Sequence, residues 1–170
     1  GTALLPMLSR AVGAGDIVEA RNLFNRALEM TLFLGVPAAA ALIVLADPII
    51  SILFQRGAFS PQDAHYTALV LQGYCIGLPA YIGVKVFSTA FWSKQDTMTP
   101  VRVSVIVTLT NIALAITLIQ FIGVAGIALA TGMVGWLQIY LLAKALKGNP
   151  ATEFDERFKF SAPRMLAAAA

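Results

Sequence analysis

The side chains here that could do chemistry are few, and most of them sit inside apolar runs, where a polar group is costly unless it has a purpose or a partner. Ser104, Thr108 and Asn111 are spaced by four and three, which lines them up on one face of a helix. At 1.5 Å per residue Asn111 lies ~15 Å into its run, and Thr131 of the next run lies ~11 Å from the opposite end. In a hydrocarbon core about 30 Å thick the two depths differ by only ~4 Å, so the side chains can meet near the midplane. Their oxygens could serve a small cation or a substrate hydroxyl, or simply make an interhelical hydrogen bond. Lys85 could meet an anionic substrate in a cavity; equally, ~10 Å from the end of its run, it could snorkel to the surface on its long stem. His65, the single histidine, reads as a polar interfacial residue, and the single cysteine, Cys75, as packing. No Gly-rich phosphate loop, no Ser/His/Asp set and no pair of intramembrane acids is present. The residues thus suggest a protein that is not an enzyme, uses no metal or organic cofactor and has no nucleic acid partner.

The elements that carry these residues are membrane helices. Of 170 residues 58% are apolar and only 12% are charged, about half the charged share of an ordinary soluble domain. Residues 1–13 read as the end of one membrane helix, emerging at Arg10. After Gly13 and Gly15, Asp16 and Glu19 form a D-x-x-E start signal for an amphipathic stretch at 16–30, expected to lie along the membrane surface. It runs into a first span at about 27–46, which Asp47-Pro48 is expected to end. Ser60-Pro61-Gln62-Asp63 carries the residues of a helix start, with Ser at the cap and Pro at the first position. Further spans follow at about 66–92, 101–121 and 124–143, the last two joined at Ile122-Gly123. Prolines 37 and 79 lie within spans and the glycines of the fourth make small-xxx-small spacings; both suit close packing, or a bundle that moves. The fold class expected is thus an all-α polytopic membrane protein with four complete spans, the end of a preceding helix and, at 164–170, the start of another. The sequence reads as a piece of something longer.

Charge sets the orientation. If the spans alternate, Arg10, Arg21, Arg26, Lys85, Lys94, Arg102, Lys144, Lys147, Arg157, Lys159 and Arg164 share one side, and Arg56 alone takes the other. Cytoplasmic loops carry the Lys/Arg excess. Loops 10–26, 93–100 and 144–164 are therefore expected in the cytoplasm, and loops 47–62 and 122–123 outside.

Several motifs have a familiar order. GTALLPMLSR, an amphipathic linker, LFQRGAF with SPQDA, GLPAY followed by VKV, and FWSKQDTMTPVRV resemble the lipid II flippase family (MurJ, formerly MviN), with the resemblance running from Gly1 to about Lys147. It implies a fourteen-helix exporter fold of two lobes, of which residues 1–147 form most of the second, 148–163 being a cytoplasmic linker. It further implies a bacterial cytoplasmic-membrane protein that moves undecaprenyl-diphosphate-linked peptidoglycan precursor to the outer leaflet by alternating access. Its partners would be lipid II, membrane lipid and the first lobe. Lys94, Asp96 and Arg102 match the family's cytoplasmic loop, and Lys85 matches the basic position of VKV, as substrate-binding or gating residues. Some members bind sodium through an Asn, an Asp one turn on and a Thr of the next helix. Asn111 and Thr131 match two of these positions as possible cation ligands, but Ala115 stands where the Asp belongs, which leaves Na⁺, H⁺ or membrane potential open as the driving force. The alternatives are another polysaccharide-lipid flippase or cation-coupled exporter of the same fold, and a non-transporting membrane scaffold for wall synthesis.

Overall fold

A computed structural model describes residues 4–55 and 59–146. Arg56, the expected cytoplasmic segment at 148–163 and the expected helix start at 164–170 lie outside the described residues. Five helices follow in order: α1 (Leu4–Gly13), α2 (Ile17–Phe54), α3 (Pro61–Trp92), α4 (Met98–Ile122) and α5 (Val124–Leu146). The last four are each long and apolar enough to cross a membrane. The described residues are thus an all-helical membrane bundle.

Local chemistry explains where the helices start. Asp16 Oδ1 accepts from the backbone N–H of Glu19 at 2.9 Å at the head of α2. At the head of α3 the Ser60 hydroxyl accepts from the Asp63 N–H at 3.2 Å, while Asp63 Oδ2 accepts from the Ser60 N–H at 3.0 Å. This reciprocal box, with Pro61 at the first position, satisfies donors that a helix start otherwise leaves open. Only Gly123 separates α4 from α5. Its φ of +68° lies in the left-handed region where glycine is favoured, and it lets the chain reverse within one residue.

The helix ends depart from the sequence reading at α2. Asp47-Pro48 does not end it; the helix continues to Phe54, and the stretch at 16–30 is part of the same helix, not a separate surface element. Its 38 residues make it ~57 Å long, well beyond a ~30 Å core. In hydrocarbon an interrupted backbone has no water to bond, so a helix is retained through proline when neighbours serve the freed carbonyls. Pro48 leaves the carbonyl of Val44 without its helical donor, and Gln72 of α3 donates to the adjacent Ile43 carbonyl at 3.0 Å. Pro79 does the same to Cys75, and Trp136 of α5 donates to the adjacent Ile76 carbonyl at 3.0 Å. The weakenings at Pro48 and Pro79 are thus each braced by a polar side chain from another helix.

Helix α3 is the hub, packed on α2 on one side and on α5 on the other. Against α2 it is antiparallel, with Phe24 meeting Phe87 and Asp47 meeting His65. Against α5 it is parallel, with Gly73 beside Ala128 and Gly77 beside Gly132. The approach is close enough that the Gly77 and Gly132 backbones touch, which assigns these glycines to tight packing. The main core lies towards one end of the bundle, where Leu8, Phe24, Phe87, Phe91, Leu142 and Leu146 come together.

Candidate functional site

The residues singled out in the sequence fall into three places. The first is a cleft of about 620 Å³ between α1, α2 and α3. Lys85 lines it from α3, and across from it Arg26 projects from α2. Both are exposed, and among the described residues neither has a carboxylate at ion-pair distance. The rest of the wall is apolar except for Thr31 and Thr89, whose hydroxyls donate to the carbonyls of Ala27 and Lys85 in their own helices at 2.9 and 2.8 Å. The cleft therefore offers two positive charges, unpaired among the described residues, on an apolar wall, a setting for an anionic amphiphile. The sequence places Arg26 only by its charge; nothing in the spacing of α2 sets it opposite Lys85, because that juxtaposition comes from the α2–α3 packing.

The second place is the loop joining α3 to α4. Its backbone closes α3 by a Schellman pattern: the N–H of Asp96 reaches the Phe91 carbonyl at 3.1 Å and that of Gln95 the Trp92 carbonyl at 3.0 Å. Gln95 takes the left-handed position with φ of +60°, a place usually held by glycine. Asp96 then opens α4, with Oδ1 accepting from the Thr99 N–H at 3.0 Å and Oδ2 from the Thr99 hydroxyl at 2.6 Å. Those bonds, the hydroxyl first, hold the Asp96 carboxyl below the usual carboxylate range, with the charge of Arg102 a smaller aid. Lys94 Nζ is shut off from solvent with no hydrogen-bond partner among the described residues, and burial pushes its ammonium down. Thus Asp96 has a structural task that the sequence reading did not assign: it is the cap that fixes a tight reversal.

A pH dependence follows from Asp96. A carboxyl whose folded pKa is depressed binds fewer protons folded than unfolded over the window between the two values. Its contribution is complete above the ordinary carboxyl range near pH 4 and is lost as pH falls through the lower folded value. Asp96→Ala should therefore lower the thermal midpoint at neutral pH and flatten its acid limb. Asp96→Asn, still a good cap, should keep most of the neutral midpoint and remove the acid dependence. Thermal melts across pH 2–7 would check this, and parallel acid limbs in all three proteins would count against it.

The third place is the α4–α5 hairpin. Contacts of Ser104 with Gln138 and of Leu118 with Gly126 set an antiparallel register that puts Asn111 level with Thr131. No hydrogen bond joins them among the described residues: Thr131 donates to the Ile127 carbonyl at 2.8 Å, and Asn111 Oδ1 is enclosed without a donor. The other members of the stripe look elsewhere, with Ser104 and Thr108 lining a groove of about 430 Å³ beside Ser88 and Trp92 of α3. A cation here would find the orphaned Asn111 oxygen and the Thr131 hydroxyl oxygen, whose lone pairs stay free while its proton goes to Ile127. Ala115 supplies no charge, and among the described residues no cluster of His, Cys, Asp or Glu could hold a metal. Among the described residues Asn111 and Thr131 thus stand level, with Ala115 in the place of the carboxylate. At the far end of the bundle His65 Nδ1 and Asp47 Oδ1 stand 2.9 Å apart and tie α3 to α2, while Cys75 is buried in packing.

Comparison with known proteins places this geometry. The family model for the lipid II flippase MurJ matches residues 1–170. The chain belongs to the lipid II flippase MurJ family. A probable lipid II flippase MurJ of Rhizobium meliloti is 41% identical over 169 residues, covering 99% of this chain and 32% of that protein. One from Vibrio cholerae is 37% identical over 85% of this chain and 28% of its own length. The solved structure of a lipid II flippase MurJ in an inward closed conformation superposes with a TM-score of 0.80 at 30% identity, over 98% of this chain and 35% of that one. The chain thus spans about a third of the length of the MurJ relatives it matches.

Proposed function

We propose that the complete protein to which this chain contributes is a lipid II flippase. It carries undecaprenyl-diphosphate-linked peptidoglycan precursor from the inner to the outer leaflet of the bacterial cytoplasmic membrane. The observation that carries this reading is membership of the MurJ family over the whole chain, with a structural match over nearly all of it. The bundle suits the task. Alternating access needs rigid bodies that rock against each other, and the glycine-packed α3–α5 pair, with Pro79 braced by Trp136, supplies one. Transport requires the other lobe as its counterpart, so this segment alone moves no lipid. A diphosphate entering a low-dielectric site needs cationic partners, which supports Lys85 as a substrate contact. Lys94, Asp96 and Arg102 belong, in this reading, to the cytoplasmic gate, the Asp96 cap keeping the loop short and stiff.

The test uses cells whose own lipid II flippase can be shut off, complemented with the complete protein. Lipid II accessible at the outer leaflet is measured for wild type, Lys85→Ala and Asn111→Ala. Wild type should restore exposure, and Lys85→Ala should reduce it severalfold at equal membrane abundance. If the wild type restores nothing while present at normal levels, the substrate is a different lipid-linked sugar.

A further inference from the structure

The cleft between α1, α2 and α3 points to a ligand on chemical grounds that do not depend on transport. Its two cations, Arg26 and Lys85, are exposed and lack a carboxylate among the described residues. Lys85 lies seven residues before the end of α3, ~10 Å from it, and Arg26 lies nine residues into α2. The two helices are antiparallel, so both charges stand towards the same end of the bundle, the end that the basic residues mark as cytoplasmic. Deeper along the same wall the lining turns apolar, with Met30, Leu34 and Ile82. At about 620 Å³ the cleft falls within the ~300–1,000 Å³ usual for small-molecule sites.

What the cleft lacks is equally informative. A sugar or peptide head group is read by several neutral donors and acceptors; here the hydroxyls of Thr31 and Thr89 give their protons to the carbonyls of Ala27 and Lys85 and offer only acceptor lone pairs. Two cations at one end of an apolar trough suit a phosphate with a hydrocarbon chain attached. We propose that Arg26 and Lys85 hold the phosphate of an anionic glycerophospholipid of the cytoplasmic leaflet, its acyl chain lying along Met30, Leu34 and Ile82. The site is a resident-lipid site, and a transported lipid approaching Lys85 would have to displace that phospholipid.

The experiment measures lipid retention by the complete protein, stripped in neutral detergent and titrated separately with phosphatidylglycerol, phosphatidylcholine and undecaprenyl diphosphate. Mass spectrometry of the intact protein counts bound lipid. Phosphatidylglycerol should bind saturably and phosphatidylcholine should not. Each basic residue near an anionic phosphate contributes about fivefold in affinity, so the pair Arg26→Gln with Lys85→Gln should weaken phosphatidylglycerol about 25-fold. A charge-keeping pair, Arg26→Lys with Lys85→Arg, should bind within about threefold of wild type, which separates loss of charge from loss of fold. Equal phosphatidylglycerol retention by the Gln pair and wild type overturns the proposal. So does retention of undecaprenyl diphosphate through these two residues with none of phosphatidylglycerol, which would give the cleft to the transported lipid alone. Neither binding result depends on whether the flippase assay succeeds.

Discussion

Gly132→Val should prevent the bundle from assembling. A Cβ at position 132 would lie 2.6 Å from the Gly73 carbonyl oxygen and 3.2 Å from the Gly77 nitrogen. Both are backbone atoms of α3, so no rotamer change relieves the overlap. Overpacking where side chains can yield costs about 1–3 kcal/mol; here two helices must separate, and the cost should exceed that range. Separation would also lengthen the bonds from Tyr81 to the Thr131 carbonyl (2.9 Å) and from Trp136 to the Ile76 carbonyl (3.0 Å). Helix association in a membrane rests on such contacts, because apolar burial supplies little drive there. Gly132→Ala should fall between, and Gly13→Ala, with nothing within 4 Å of the added carbon, should leave stability within about 0.5 kcal/mol. Thermal melts of the complete protein in detergent would rank the three. A Gly132→Val protein as stable as Gly13→Ala would mean that the α3–α5 contact is dispensable.

Phe24→Ala should be the most damaging truncation. Phe24 is the largest fully buried side chain among the described residues, 0% exposed, and its ring meets Phe87 edge to face at 5.3 Å and 83°. Both rings belong to the cluster that joins α1, α2, α3 and α5, so the void cannot be filled by moving one helix alone. Removing a buried Phe costs about 3–5 kcal/mol through lost contacts and the residual cavity, with a further ~0.5–1.5 kcal/mol attached to the aromatic pair. Phe33→Ala on the same helix is the control, since Phe33 is 63% exposed and should be nearly silent. Chemical denaturation or thermal melts would show the contrast, and comparable losses from the two changes would remove the packing explanation.

Much of this protein was legible without coordinates, because a membrane narrows the choices. A chain with 58% apolar residues in runs of about 20 can satisfy its backbone in hydrocarbon only as helices. Local signals then marked the ends well where they act alone: Ser60-Pro61 with Asp63 is the cap of α3, and Gly123 is the reversal before α5. The apolar side of α2 shows the same: of Ile17, Ala20, Phe24, Ala27, Leu28 and Thr31, which share one side of a helix, Ala20, Phe24, Leu28 and Thr31 are buried, Ala27 is half-buried and Ile17 at the helix start is exposed. Asp47-Pro48 misled for a physical reason. Proline stops a helix when water takes the freed carbonyl, whereas here Gln72, 29 residues away in sequence, braces the weakened stretch.

The site divides in the same way. Sequence determined which residues carry charge and on which side of the membrane they are expected, so Lys85 and the basic cytoplasmic loop could be named from spacing and resemblance. Tertiary structure decided the pairings, since a charge becomes a site only beside another. The antiparallel packing of α2 on α3 made Arg26 the neighbour of Lys85 across the cleft. The hairpin register set Asn111 level with Thr131, while the Ile127 carbonyl took the Thr131 proton that Asn111 could have accepted. Periodicity fixes what one helix presents; the distance between two helices depends on contacts such as Gly77 on Gly132, which no single run of residues contains.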